Sequence, residues 1–337
     1  MKKLGVFIGR FQPLHEGHIQ AIKLAAKQVD VLLVLIGSAN QCRSIKNPWT
    51  YSERVQMFHS KWEQLASTLD ILPLNDYQYS HTQWMADVRA SVEYTQTNWG
   101  ISSAPTLFGH TKDGNDYLTW FPDWNFKNID AEYTVNATSI REKMFEDYTK
   151  IRTPYQRMPE TVYQDHLFYN KEKELFANYP FLDTLNFNCS DAVLECQGHV
   201  LLIQRKFAPG AGCWALPGGF RNNKETFLDC AIRELQEETN VRVPEKVLRG
   251  SIVKTQLFDS PTRSFGLLRN TLAVYMRINP NPDYSLPRAN GADDAALCKW
   301  VPLTDALNSY ELYDDHAAII STMTGVMPMP AFTKLKK

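Results

Sequence analysis

Pro217-Gly218-Gly219-Phe220, then Glu225, then Arg233-Glu234-Leu235-Gln236-Glu237-Glu238-Thr239-Asn240-Val241 is the stretch that fixes the reading of the second half of this chain. The spacing predicts a helix over 226–239, with Leu228, Ala231, Ile232 and Leu235 as one apolar stripe. At about 100° per residue, Glu234, Glu237 and Glu238 fall together on a second, partly exposed face. Three carboxylates so placed repel one another and weaken an isolated helix. A hard divalent cation removes the conflict, because Mg²⁺ (or Mn²⁺ in its place) is held by carboxylates together with phosphate oxygens of a substrate. Arg233 lies four residues before Glu237 and can orient it. The paired glycines let backbone carbonyls come close to an ion. The plainer alternative is a solvated acidic helix face, against which the glycine pair and the spacing to Glu225 both argue.

Around this helix, Ala192-Val193-Leu194, His199 to Ile203, Ile252 to Phe258 and Thr271 to Ile278 read as strands. Strands on one side and a single helix on the other predict an α+β domain. The N-terminal half has a different grammar. Leu4 to Ile8 is a short apolar strand, Ile22, Ala25, Ala26 and Val29 mark the buried face of a helix, and Val31 to Ile36 is a second buried strand. Strand, helix and strand in that order make a right-handed βαβ unit of a parallel sheet. Thr106-Leu107-Phe108 and Tyr133-Thr134-Val135 read as further strands, and a helix begins near Thr138. The expected fold is a doubly wound, Rossmann-like α/β domain over 1–147, a connector over 148–183 with weak helical character at 162–176, and the α+β domain over 184–337.

Between the first strand and its helix stands Gly9-Arg10-Phe11-Gln12-Pro13-Leu14-His15-Glu16-Gly17-His18. An open α/β sheet binds ligands at this point, with phosphate at the helix N-terminus. His15 and His18 can both donate to phosphate oxygens, Gly17 permits close backbone approach, and Arg10 adds positive charge. A zinc site through the two histidines is the competing reading, but no third ligand falls at suitable spacing.

The 337 residues carry a formal charge of −1, so no basic stripe points to nucleic acid and no polybasic or apolar segment points to a membrane. The first residues lack the features of a secretion signal. Six cysteines without CxxC spacing are read as reduced thiols of a cytoplasmic protein. The sequence leaves open whether the chain forms a homo-oligomer.

Gly219, five residues, Glu225, seven residues, then Arg233-Glu234-Leu235-x-Glu237-Glu238 resembles the Nudix box. The family's usual glycine is replaced by Asn240, at a helix end where Asn is the next-best left-handed residue. The resemblance implies that Glu234, Glu237, Glu238 and the Gly218 carbonyl ligate metal, that Glu225 and Arg233 hold the loop and helix in shape, and that metal-activated water attacks a diphosphate.

His15-Glu16-Gly17-His18 resembles the HxGH signature of the nucleotidylyltransferases, and Val135-Asn136-Ala137-Thr138-Ser139-Ile140-Arg141 resembles their second signature. Asn47-Pro48-Trp49-Thr50 with Glu53-Arg54, Tyr79 with Trp84, Gly109-His110, and Phe121-Pro122 with Trp124 resemble the archaeal-type nicotinamide-mononucleotide adenylyltransferases. That resemblance implies catalytic roles for Arg10, His15, His18 and Arg141, with Thr138 capping a helix. It implies substrate contacts at Gly9, Phe11, Gln12, Asn47, Arg54, Gly109, His110 and Thr138, and stacking of Trp84 on the nicotinamide ring. Both halves together resemble the adenylyltransferase–Nudix fusions of nicotinamide nucleotide metabolism. The implied substrates are ATP, nicotinamide mononucleotide and ADP-ribose, the last cleaved to AMP and ribose 5-phosphate.

Phe258 to Ser264, including Arg263 as a substrate contact, resembles a segment of those Nudix domains. Their Arg-Gly-Arg segment is only partly kept in Phe265-Gly266-Leu267-Leu268-Arg269. Asp293, Asp294 and His316 are candidate groups of the second site. Two rivals remain: a nucleotidylyltransferase using CTP and a sugar or alcohol phosphate, and a regulator whose Nudix domain binds ADP-ribose without cutting it.

Overall fold

The computed structural model describes residues 1–61, 69–109, 116–129, 136–148 and 157–336. Two compact units emerge, one of residues 1–41, 46–159 and 330–337, the other of 42–45 and 160–329.

In the first unit five strands, β1 (Leu4–Gly9), β2 (Val31–Ile36), β3 (Leu69–Pro73), β4 (Thr106–Gly109) and β5 (Asn125–Asn128), form a sheet of order β3-β2-β1-β4-β5. Every neighbouring pair is parallel. The helices are α1 (Glu16–Ala26), α2 (Tyr51–His59), α3 (His81–Trp99) and α4 (Ala137–Glu146). All six residues of β2 are buried, which is why it reads as an unbroken apolar run: both faces are covered. Leu32, Val34 and Ile36 pack with Ile19, Ile22 and Ala25 of α1. Val31, Leu33 and Leu35 pack with Val88 and Val92 of α3. The strand order reverses between β1 and β4, so their C-terminal ends flank the crevice where doubly wound sheets bind ligands. The strand expected at 133–135 lies outside the described residues.

Residues from the far end of the sequence finish this unit. The buried Ala331 donates its N–H to Asp87 Oδ1 of α3 at 3.2 Å, and Phe332 stacks on Tyr94 at 4.8 Å. Asp87 is itself buried and also accepts from the Tyr77 hydroxyl. Removing residues 330–337 leaves a buried carboxylate one donor short, a loss of about 1–3 kcal/mol. Amides of α3 in the truncated chain are expected to exchange hydrogen roughly ten- to hundredfold faster. Unchanged exchange there would show the segment to be dispensable.

The second unit is a mixed sheet of order β10-β11-β6-β7-β12, with two short strands beside it. Its strands are β6 (Asn186–Cys196), β7 (His199–Arg205), β8 (Trp214–Ala215), β9 (Gly218–Phe220), β10 (Ile252–Phe258), β11 (Leu268–Ile278) and β12 (Ala295–Pro302). Its helices are α5 (Glu160–Phe176), α6 (Phe227–Thr239), α7 (Glu245–Gly250), α8 (Leu303–Ser309) and α9 (His316–Thr324). Ala192, Leu194 and Leu201 meet Ala231, Ile232 and Leu235 of α6 on one face. Val193, Val200 and Leu202 meet Ala306, Leu307, Ile319 and Ile320 of α8 and α9 on the other. The expectation of a single dominant helix is corrected, because α8 and α9 cover the second face.

Cys42 and Cys213 form a disulfide, both within the second unit. That corrects the reading of all six cysteines as reduced: a separation of 171 residues carries no sequence sign that the two meet. Among the described residues, no helix is long and apolar enough to cross a membrane.

Candidate active sites

The first site forms where β1 ends and α1 begins. His15 is the N-cap of α1 in an extended conformation, which turns its ring back over the first turn. The His15 and His18 rings stack with centroids 3.7 Å apart. His18 Nδ1 accepts from the His15 N–H at 3.4 Å, which leaves the ring proton on Nε2. Burial, reinforced by His15, brings His18 down to about 3, and burial lowers His15 as well. Both rings are therefore neutral near pH 7 and act as hydrogen-bond donors, not cations.

Phe11 takes a left-handed φ of 52° and is buried against Phe58 and the edge of His18. A Cβ on Gly9 would lie 2.7 Å from the Phe11 ring, so the glycine admits this turn of the loop. The buried Gln12 is tied at both ends of its amide to the Trp49 backbone. Its carbonyl accepts from Arg141 Nη1 at 2.7 Å. Arg141 Nη2 also reaches Thr138 Oγ1 at 3.2 Å. The cap of α4 is Asn136, whose side chain accepts from the Ser139 N–H. Thr138 lies inside the first turn, which corrects the expected cap, since the extended Asn136 supplies the stronger capping oxygen. Arg10 is exposed.

Arg54 is buried, and its guanidinium donates to the carbonyls of Arg10, Gly37, Ser38 and Thr50. It braces the loops around the site from below. Asn47 is half-buried, two residues before the Trp49 that binds Gln12. Trp84 stands on α3, edge-on to Tyr117 at 5.5 Å and Trp120 at 5.6 Å. Gly109 ends β4 where a Cβ would lie 2.6 Å from Leu118, so both residues meet the 116–121 segment. His110 lies outside the described residues.

The second site is built on α6. Thr226 and Asp229 form its capping box, and Asn240 ends it with φ 43°. Arg233 is the hub of the acidic face. It grips Glu225 with two bonds of 2.9 and 2.7 Å, and through Nη1 it reaches Glu234 at 2.8 Å and Glu237 at 2.9 Å. The Arg233 hydrogen bonds hold Glu225 down to about 2. Glu237 is 47% exposed, whereas Glu234 and Glu238 face inward. Glu238 accepts from the Gly218 N–H of β9 at 3.0 Å, and burial pushes it up to about 8. Glu234 is raised for the same reason. Any Cβ on Gly219 would lie 2.5 Å from the Glu234 carboxylate, so the box glycine is what allows the helix carboxylate to meet the strand.

Glu234, Glu238, Gly218 and Gly219 line a cleft of about 450 Å³ together with Asp191, Arg205, Arg263, Arg269, Asp294 and His316. Sequence reasoning passed over Asp191, Arg205 and Asp314, which carry no motif and arrive from β6, β7 and the turn before α9. Asp314, with φ 42°, is lifted by burial to about 7. Arg263 is paired with Asp315 through two bonds of 3.0 Å. The His316 Nδ1 accepts from the Leu216 N–H at 2.8 Å, and burial keeps the ring neutral. Asp293 is not among the lining residues, whereas Asp294 is.

Among the described residues no three His, Cys, Asp or Glu side chains converge as a ready-made ion cage; Arg233 draws Glu234 and Glu237 toward itself instead. The donor set nevertheless suits a hard divalent cation. Two inward-facing carboxylates one turn apart are pushed toward protonation by burial, and an ion bound by oxygen would remove that cost.

A cytidylyltransferase-like family model matches residues 6–143, and a NUDIX domain model matches residues 190–323. The nicotinamide-nucleotide adenylyltransferase of Pyrococcus furiosus is 49% identical over 149 residues, 43% of this chain and 74% of its own length. The nicotinamide/nicotinic acid mononucleotide adenylyltransferase of Acinetobacter baylyi is 32% identical over 144 residues, 42% of this chain and 74% of its own. Other relatives, such as the Thermococcus onnurineus enzyme, are matched over only half their length. A bifunctional NMN adenylyltransferase/ADP ribose pyrophosphatase from Francisella tularensis superposes with TM-score 0.83 at 30% identity, over 96% of this chain and 99% of that one. The same protein complexed with AMP and Mn ion gives TM-score 0.82 at 29% identity, over the same shares.

Proposed function

We infer the reactions from one premise: the chain belongs to the family of bifunctional nicotinamide-mononucleotide adenylyltransferase/ADP-ribose pyrophosphatases, and it is both a nucleotidylyltransferase and a Nudix hydrolase. The first unit adenylylates nicotinamide mononucleotide. An oxygen of the mononucleotide 5′-phosphate attacks the α-phosphorus of ATP, the bond to the β-phosphate oxygen breaks, and NAD and pyrophosphate leave. The observation that carries this is the stacked, neutral His15–His18 pair at the α1 N-terminus. Its N–H groups meet developing phosphate charge without a proton having to be placed first. Arg141, pinned to Gln12 and Thr138, brings the second signature to the same loop. Gly9, Phe11 and Gln12 shape that loop, Arg10 adds charge at its rim, and Arg54 braces it.

The second unit hydrolyses ADP-ribose to AMP and ribose 5-phosphate. Glu234, Glu237, Glu238 and the Gly218 carbonyl would hold Mg²⁺, with Mn²⁺ able to replace it. A divalent cation there neutralises diphosphate charge and makes water nucleophilic at neutral pH. The inward-facing Glu234 and Glu238 beside β9 carry this assignment. Glu225 and Arg233 keep the loop and helix in register, and Arg205 supplies cleft charge toward phosphate.

The test is product identification with Mg²⁺ present: ATP or CTP with nicotinamide mononucleotide and with alcohol phosphates, and, separately, a panel of nucleoside diphosphate derivatives. NAD and pyrophosphate, and AMP with ribose 5-phosphate, are expected. Preference for CTP, or ADP-ribose bound but uncut, would overturn the respective half. Within the first unit, Trp84→Ala is expected to weaken nicotinamide mononucleotide binding by roughly tenfold through loss of a cation–π partner. ATP binding should change little, and equal weakening of both would exclude stacking.

A further inference from the structure

We propose that helix α5, chain that precedes the sheet of the second unit, is part of the hydrolase's substrate site, and that Phe168 on it stacks on the base of the nucleoside diphosphate. The proposal rests on the hydrolase reading above and adds to it the place where the base sits.

The cleft interior is charged, lined by the carboxylates of Glu234, Glu238 and Asp191 and by cations that include Arg205 and Arg269. Such an interior suits a metal and a diphosphate. The flat base of the same substrate needs a different surface, and Phe168 is an aromatic lining residue that comes from α5. Phe168 is 36% exposed, so part of a large apolar side chain faces water beside the cleft.

The ring is also held in place. Tyr169, only 8% exposed, lies at 85° to it with centroids 5.4 Å apart, and Tyr169 in turn packs on Phe265 at 4.9 Å. Two loops of the cleft clamp the helix itself. Asp165, 4% exposed, accepts from the Gly210 N–H at 2.9 Å. Glu172 accepts from the Leu267 N–H at 3.3 Å and pairs with Arg269. Gly266 has φ 78°, and any side chain there would meet the Tyr169 ring at 2.7 Å. A helix anchored at three points to the loops that line a phosphate-binding cleft presents its exposed ring as a fixed platform, and fixed aromatic platforms bind bases.

The experiment measures ADP-ribose hydrolysis with Mg²⁺ in the full chain, with AMP and ribose 5-phosphate as product inhibitors. Phe168→Ala should raise KM about tenfold, the effect of losing one stacked base, with a smaller change in kcat. AMP inhibition should weaken in parallel while ribose 5-phosphate inhibition stays as in the parent. Phe168→Tyr should restore both values, and Phe168→Leu, which keeps bulk without a π-face, should not. An unchanged KM in Phe168→Ala, weakening shared equally by ribose 5-phosphate, or rescue by Leu would overturn the proposal while leaving the hydrolase intact. A parent chain that cuts no ADP-ribose would remove the underlying reading, and the proposal with it.

Discussion

Replacing Glu238 with Gln should reduce ADP-ribose hydrolysis by more than about a hundredfold, the upper end of what losing even an outer partner of a metal ligand costs. Adenylyl transfer should stay within about twofold, because the substitution lies in the other compact unit. Glu238 faces the cleft from α6, fixed by the Gly218 N–H, and Gln can keep that bond while losing the charge that would hold a cation.

The pH dependence has a definite sign. Burial pushes Glu238 up to about 8 and Glu234 in the same direction. In the metal-free folded chain these groups keep protons that the unfolded chain has already released. Stability without metal therefore falls as pH rises from the ordinary carboxylate range toward about 8. A cation that displaces those protons binds more tightly as pH rises. Mg²⁺ should accordingly raise the melting temperature of the parent more at pH 8 than at pH 6, and raise that of Glu238→Gln less at both. A Mg²⁺ effect equal in parent and variant would remove Glu238 from the metal site.

His18→Ala should lower adenylyl-transfer turnover by roughly 10²–10³, the range for one preorganised donor. Mononucleotide binding should suffer less than turnover, and hydrolysis should be untouched. His18 is held neutral by burial, so its donation needs no protonation step. Turnover should thus show no acid-side limb traceable to this ring between pH 6 and 8. Turnover close to that of the parent would take His18 out of the site.

Much of this was legible in the residues. The unbroken apolar run of β2 announced a strand covered on both faces, and HxGH after β1 puts the proposed first site at the sheet's switch point. The α6 pattern was readable to its ends, because Thr226, Asp229 and Asn240 are terminal signals that depend on neighbours in sequence. Contacts made by long-range folding were not legible. Cys42 and Cys213, or Ala331 and Asp87, carry no periodicity that points to the other. Helix α3 escaped notice because its 19 residues bury only Asp87, Val88, Ser91, Val92 and Thr95, a face too polar to read as an apolar stripe. In the second site the motif named Glu234 and Glu238. It could not show that Asp191, Asp314 and Phe168 join them, since those come from a strand, a turn and a connector helix with no shared pattern. Nor could it show that Arg233 holds Glu237 at the surface while its two neighbours turn inward.

The most direct test is to assay both reactions in the same preparations of the parent, His18→Ala and Glu238→Gln chains. Two separate sites predict a crossed result: His18→Ala keeps hydrolysis and loses adenylyl transfer, and Glu238→Gln keeps adenylyl transfer and loses hydrolysis. Parallel loss of both activities in either folded variant, or retention of hydrolysis in Glu238→Gln, would contradict it.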